Sequence, residues 1–534
     1  MRIEYVKIKK FKNLKDFEIT FDKLESRCVL IGQNASGKSN FIEAVVLIFK
    51  YLDLETHHDE EVDFQYEIKY SCKTNEIVIN YCPSEKQKHI FYIFGKKITN
   101  KEFFKRKADY LPQCVFAYYS GLGNSNRLED YFREHRKDFA TIAMKKKDSS
   151  LPPNQPLFYA DLIHSYFSLL SFYVGQENEE VQDFLKNNLN ILGLESILLT
   201  IQEPDWKKNE PKFWGSEGVV RGLLEYLHDN VAISPIREKI KIKGELWKKE
   251  KREKEVIYLY ISDIEKIKKY VADNGWSSYD FFQVLDTANV SRLINRDGIK
   301  IRVKKKFANK IAFKDLSEGE QQLLTVLGLM RFMSGKESLF LLDEPDTHLN
   351  PYWRWKYLDF IDDIVFNKKK DENKTQVLMS THDPITIGSL NREAVRIFIS
   401  DHETGEIKTL IPAQNPKGMG VAGILTEIFH LTTTLDEKTQ EHLEMRRHLE
   451  SRKFNGEKLT ASQTEELAAL NAELEKLGFS RVTRDPLYQK FQARFDLITK
   501  YKKSTSLPLS EEEIESENKV IDKVLKQLLE EEGL

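Results

Sequence analysis

The stretch CVLIGQNASGKSNFIEAVVLIFKYL, Cys28–Leu52, restricts this chain more than any other. Its opening apolar run reads as a strand buried on both faces, and FIEAVVLIFKYL places apolar residues at helical spacing. Between them GQNASGKS, Gly32–Ser39, matches the G-x-x-x-x-G-K-[ST] pattern in the strand–loop–helix setting it requires. Each fixed position has a chemical reason. Gly32 and Gly37 let backbone amides close around phosphate oxygens, Lys38 brings a cation to the β and γ phosphates, and Ser39 offers a hydroxyl to Mg2+. With Asn34, Ser36 and Asn40 these are the candidate nucleotide-binding residues of the loop, and ATP with Mg2+ is the ligand they predict.

A phosphate loop needs carboxylates nearby to hold the metal and arrange water. SLFLLDEPDTHLNP supplies an apolar strand ending in Asp343 and Glu344, so both acids emerge at the carboxyl edge of a sheet, where ligands bind in open α/β folds. Asp343 is the candidate metal ligand and Glu344 the candidate for polarising water. One strand further, TQVLMSTHD puts His382 at a strand end, within reach of a γ phosphate. A lone histidine is usually structural; this one gains meaning from its companions. LSEGEQQLL, Leu316–Leu324, reads as a capped helix start, with Ser317 as cap and Gly319 permitting close backbone approach. Such an anion-binding helix end, on a lobe apart from its own phosphate loop, reaches a γ phosphate most easily on a neighbouring subunit. Two copies are then expected to sandwich two nucleotides.

The rest of the chain divides into four stretches. Residues 1–135 read as strands around the phosphate loop, 136–295 as a mainly helical insertion, 296–415 as alternating strands and helices of a parallel sheet, and 416–534 as helices. VQDFLKNNLNILGL reads as one helix, REKIKIKGELWKKEKREKEVIYLYI as a solvated hairpin edged with lysine, and EHLEMRRHLE with ASQTEELAALNAELEKLG as an antiparallel helix pair broken at Gly456. With 82 basic and 84 acidic residues the chain has no uniform nucleic-acid-binding surface, only room for local patches. The four cysteines lack metal-ligand spacing and point to a reduced, cytoplasmic setting; the start MRIEYVKIKKFKNL lacks a signal core, and no run long enough to span a membrane occurs. His57 and His58 with Asp59, Glu60 and Glu61 form the one other metal-like cluster, read as an exposed polar loop.

Taken in order, GQNASGKS, LSEGEQQ, LLDEP, THLNP and STHD resemble the ABC-type ATPase heads of the SMC, RecF and overcoming-lysogenization-defect group, as does IKKFKNLKDFEITF ahead of the loop. The resemblance spans about residues 1–130 and 296–400. It implies an α/β ATPase head with a mixed and parallel sheet core, a helical insertion lobe and a helical C-terminal extension. It also implies Lys38 and Ser39 as Walker A, Ser317, Gly319 and Gln321 as the signature, and Asp343 and Glu344 as Walker B, with Asn350 in the D-loop and His382 as switch histidine. Ala35 stands in place of a usual glycine and Glu318 in place of the first signature glycine, while Gln113 is the candidate for the Q-loop glutamine. Neither an appended Toprim nuclease nor a long coiled coil is legible. The tail GMGVAGILTEIFHLTTTLDEKTQEHLEMRR followed by LAALNAELEKLGFSRVTRDPLYQKF is similar to that of the PtuA-type ATPases of Septu and retron-associated anti-phage systems. That likeness implies a homodimer around ATP, an HNH nuclease of PtuB type engaged by the C-terminal helices, and, in a retron, a reverse transcriptase and its msDNA. The alternative is a RecF- or SMC-like repair ATPase that binds DNA directly, with Lys304, Lys305 and Lys306 and the lysine-rich hairpin forming a basic groove.

Overall fold

A computed structural model describes residues 1–53, 62–120, 131–132, 139, 151–152, 155–175, 179–208, 212–242, 252–306, 311–333, 336–363, 374–401, 404–431, 433–454, 456–479, 519, 521–526 and 528. The chain forms two compact units, one of Met1–Thr386 with Ser400–Thr409, the other of Ile387–Ile399 with Leu410–Leu534. No helix among the described residues is long and apolar enough to cross a membrane.

The first unit is a mixed α/β assembly. Strands β1 (Arg2–Phe11) and β2 (Leu14–Thr20) form an antiparallel hairpin. Strand β3 (Arg27–Gly32) leads to the phosphate loop and the helix Lys38–Asp53. Strands β4 (Tyr66–Cys72), β5 (Asn75–Tyr81), β6 (His89–Ile93) and β7 (Lys96–Ile98) extend the hairpin into a six-stranded sheet in the order β2-β1-β4-β5-β6-β7. Strands β8 (Cys114–Tyr119), β9 (Leu157–Tyr159), β15 (Ser338–Asp343) and β16 (Thr375–Ser380) join β3 in parallel, in the order β3-β16-β15-β8-β9. Every residue of β15 and β16 is buried, and each strand has an unbroken apolar centre, LFLL in β15 and VLM in β16.

Between these sheets the Lys38–Asp53 helix buries nearly its whole circumference. Phe41 packs against Phe17 (ring centroids 5.7 Å apart) and Phe49 against Tyr70 (5.5 Å). The two sheets are also joined by a polar clasp: Gln376 Oε1 accepts the Ile3 amide at 2.7 Å and its Nε2 donates to the Ile3 carbonyl at 3.1 Å. Cys28, Cys72 and Cys114 are buried, and burial pushes the thiols of Cys72 and Cys114 up to about 12.

The stretch expected to be a mainly helical insertion contains helices and a sheet. Strands β10 (Ile191–Gln202), β11 (Ile236–Ile242), β12 (Arg252–Ile261), β13 (Lys300–Lys305) and β14 (Ile311–Ala312) form an antiparallel sheet ordered β11-β12-β10-β13-β14. The VQDFLKNNLNILGL segment, read as one helix, breaks in the middle. Its helix ends at Asn187, Asn190 takes a left-handed φ of 54°, and Ile191 begins a strand paired on both sides. Tertiary pairing overrides a helical period that the leucines share with a buried strand. The lysine-rich segment is the hairpin its alternation implies, with Ile236 opposite Tyr258 and Ile242 opposite Arg252. Helix Ile163–Val174 packs along helix Glu318–Met333, with Phe172 and Phe332 at 4.8 Å and the Ser168 side chain 3.0 Å from where a Cβ on Gly328 would stand.

In the second unit helices Glu437–Phe454 and Ala461–Lys476 form the antiparallel pair, turning at Gly456 (φ 82°). Leu449, Leu467 and Leu470 close around Leu459 between them. A reciprocal cap of Thr460 and Gln463 starts the second helix, and Lys438 pairs with Glu473 at 3.3 Å. The hairpin's outer faces are charged because two packed helices bury only one stripe each.

Candidate functional site

Three left-handed residues shape the loop after β3. Gly32, Ala35 and Gly37 have φ of 147°, 63° and 95°. Ala35 therefore adopts the conformation a glycine was expected to supply, at a strain of roughly 1–2 kcal/mol. At Gly37 a Cβ would press on two side-chain ends, 2.8 Å from Ile407 Cδ1 and 2.9 Å from Leu14 Cδ2. Lys38 bends back over the loop and donates from Nζ to the carbonyls of Gly32 (2.8 Å) and Gln33 (3.0 Å) and to Ser36 Oγ (3.4 Å). Burial lowers the pKa of its ammonium, against the opposing pull of Glu344 and Asp343.

Asn13, which sequence reasoning missed, braces this loop from the β1–β2 turn. It donates from Nδ2 to the Ala35 carbonyl at 2.9 Å and accepts from Asn40 Nδ2 at 2.6 Å. Beside it Lys12, with φ 51°, contacts Glu43 on the helix leaving the loop. A KN pair between two strands is a turn signal; its contact with a loop twenty residues on depends on how the hairpin folds over.

The carboxyl ends of the parallel strands are level. Ser380 lies opposite Asp343 on one side and Leu30 on the other. Asp343 is 2% exposed and accepts hydrogen bonds from the hydroxyls of Ser380 and Ser39. Burial raises the pKa of its carboxyl; those hydroxyls and Lys38 oppose the shift. Glu344 has a left-handed φ of 52°, and its amide donates to the Ser380 carbonyl (3.1 Å) and Oγ (3.2 Å). Its Oε1 lies 3.2 Å from Nδ1 of His382. Lys38, Ser39, Asp343, Glu344 and His382 thus converge from three segments on one edge of the sheet.

The segments following β15 and β16 are stitched together by further side chains. Buried Asp346 accepts the Thr381 hydroxyl at 2.7 Å and that of Thr386 at 2.6 Å. Arg354 donates to Asp383 at 2.5 Å and to the Thr347 carbonyl at 2.9 Å. Ser120, after β8, donates its amide to the Asp343 carbonyl at 3.2 Å and shares a 3.2 Å hydroxyl contact with Thr347.

Gln113, the candidate Q-loop residue, is misplaced for that role. Its amide bonds to the Glu337 carbonyl at 2.7 Å, at the amino end of β8, a strand length or roughly 20 Å from the edge that carries the acids.

A second group forms around the start of the Glu318–Met333 helix. Ser317 and Glu320 make a reciprocal cap: Ser317 Oγ accepts the Glu320 amide (3.3 Å), and Glu320 Oε2 accepts the Ser317 amide (2.9 Å) and hydroxyl (3.1 Å). Lys305 contacts Glu320, so one lysine of the proposed basic groove is engaged inside the protein. Gly319 abuts the loop after β15, since a Cβ there would stand 2.8 Å from the His348 carbonyl oxygen. Gln321 turns inward, donating to the Leu316 carbonyl at 2.9 Å, while Gln322 accepts the His348 amide at 3.3 Å. Asn350 caps the Pro351–Ile361 helix by accepting the Trp353 amide at 2.9 Å. The side-chain hydrogen bonds of Ser317 and Asn350 stay within these two helix starts. His57, His58, Asp59, Glu60 and Glu61 lie outside the described residues.

A parallel sheet whose glycine loop, buried lysine and strand-end acids meet at its carboxyl edge is the arrangement of nucleotide-binding α/β proteins. The family model described as AAA ATPase domain matches residues 1–387, and the chain belongs to that family. It resembles the Septu protein PtuA of Bacillus mycoides (strain KBAB4), 28% identical over 44% of this chain and 32% of that protein, so the matched part is about a third of the relative's length. The Retron Vc95 probable ATPase of Vibrio cholerae serotype O1 biovar El Tor is 21% identical over 80% of this chain and 78% of its own. Among solved structures, the recombination mediator protein RecF bound to ATP aligns over 77% of this chain and 97% of its own at 15% identity, with a TM-score of 0.30.

Proposed function

We propose that this protein binds ATP with Mg2+ between two copies of itself, hydrolyses it, and uses the bound state to control an associated HNH nuclease. The observation that carries the ATPase reading is the convergence of Lys38, Ser39, Asp343, Glu344 and His382 on one sheet edge. Their donors suit a hard divalent cation, because Asp343 is a buried carboxylate that burial alone pushes toward protonation. Ser39 and Asp343 would hold the Mg2+, which supplies charge neutralisation for the phosphates when bound. Lys38 exchanges its loop carbonyls for β and γ phosphate oxygens. Glu344, set by Ser380 and faced by His382, takes the proton of the attacking water, and the other ring nitrogen of His382 is left for the γ phosphate.

The second copy enters through Ser317. Its cap is exposed, while its hydrogen bonds leave the chain's own phosphate loop untouched. A twin's loop is the site it serves best. The likeness to PtuA and to a retron ATPase supports the nuclease partner, with the region after about residue 415 as its docking part.

Lys38→Ala is expected to weaken ATP binding at least about tenfold, while Glu344→Gln keeps binding and lengthens the life of an ATP-bound dimer. Binding of a fluorescent ATP analogue, phosphate release and size-exclusion chromatography with light scattering read these three properties. Unchanged phosphate release by Glu344→Gln removes Glu344 from the proposed role.

A further inference from the structure

We infer that Ser380 is a positioning residue for hydrolysis, holding the two strand-end acids in the separate attitudes their chemistry requires. The inference rests on the ATPase reading above and deepens it. Glu344 departs from ordinary backbone: it is a Cβ-bearing residue at φ 52° immediately after a buried strand. Left-handed backbone at such a position persists only where the surroundings hold it. Ser380 provides that hold. It is fully buried, and its hydroxyl donates to Asp343 Oδ1 while accepting the Glu344 amide at 3.2 Å; its carbonyl accepts the same amide at 3.1 Å.

One side chain therefore grips both consecutive acids. The grip on Asp343 fixes the carboxylate that meets Ser39, and the grip on the next amide fixes where the Glu344 side chain departs toward His382. Parallel pairing puts Ser380 opposite Asp343, so no other residue of β16 has this access. Alanine at 380 leaves the carbonyl contact and the strand pairing intact but removes the hydroxyl from both acids. Nucleotide binding depends on the loop and Lys38 and should survive. Placement of the water-polarising carboxylate should not.

The test uses the full chain with Ser380→Ala and Ser380→Thr beside Glu344→Gln. Ser380→Ala is expected to bind a fluorescent ATP analogue within about twofold of the parent and to lose about ten- to a hundredfold in kcat, the range spanned by a lost hydrogen bond to a charged group. Its ATP-bound dimer should live longer, as in Glu344→Gln, and Ser380→Thr, which keeps the hydroxyl, should recover most of kcat. Parent-like kcat in Ser380→Ala with an inactive Glu344→Gln overturns the inference and leaves the ATPase reading standing. Equal loss in Ser380→Ala and Ser380→Thr, or loss of nucleotide binding in both, also overturns it, since the hydroxyl then has no separate role. Parent-like kcat in Glu344→Gln overturns the reading beneath it and this inference together. If Ser380→Ala does not fold, Ser380→Thr and Ser380→Cys decide: a kcat that tracks hydroxyl against thiol at equal binding supports positioning, and equal kcat refutes it.

Discussion

Two residues of the phosphate loop share a left-handed backbone yet should respond oppositely to substitution. Ala35 is an alanine in a glycine conformation, and Ala35→Gly is expected to be neutral to about 1 kcal/mol stabilising, because relief of strain is partly offset by the freedom glycine gains when unfolded. ATP affinity should not change. Gly37→Ala adds a Cβ that would meet the side-chain ends of Ile407 and Leu14, which can shift, but it also puts a side chain on a φ of 95°, so the loop backbone is strained out of its phosphate-binding form. ATP binding should be lost while the melting temperature falls by only a few degrees. Melting curves with and without ATP separate the two: the ATP-induced rise persists in Ala35→Gly and vanishes in Gly37→Ala.

At the scale of elements, the informative contact is between the start of the Glu318–Met333 helix and the loop after β15. Gly319 stands against the His348 carbonyl, and His348 faces Glu318 at 3.2 Å. Gly319→Ala would push that loop by several tenths of an ångström, since a backbone oxygen cannot swing aside as a long side chain does. The loop is tied through Asp346 and Arg354 to the segment that bears His382. The expected result is retained ATP binding in a protein that no longer forms a lasting ATP-bound dimer, measured by light scattering in the Glu344→Gln background. A Gly319→Ala protein that dimerises as the parent does would show that this helix start lies away from the second copy.

For the whole molecule, the division into two compact units matters for how the proposed partner is reached. Residues Met1–Thr386 and Ser400–Thr409 contain every residue of the candidate ATP site, whereas the charged helical hairpin belongs to the other unit. Removing residues 436–534 is therefore expected to leave ATP binding within about threefold and to abolish co-purification with an HNH nuclease partner. Loss of ATP binding in the same truncation would make the hairpin part of the ATPase body. Chelation of Mg2+ with EDTA should stop phosphate release in both forms, as the loop hydroxyl and Asp343 have no substitute for the cation's charge.

The phosphate loop, the acids ending an apolar strand, the histidine ending the next and the capped helix start were all legible in order along the chain. Each is a local pattern whose meaning comes from residue type and spacing. The strands of the core were legible too, because burial on both faces leaves nearly unbroken apolar runs. What sequence could not convey was which distant residues would meet. Asn13 reaches the loop only because a hairpin folds over it, Ser380 grips two acids only because β16 pairs with β15 in that register, and Gln113 drops out because it starts its strand instead of ending it. Of the sheet within the expected helical insertion the lysine-edged hairpin was legible, but β10 was read as helix: a leucine-rich run serves helix or strand equally, and pairing partners far away in the chain decide between them.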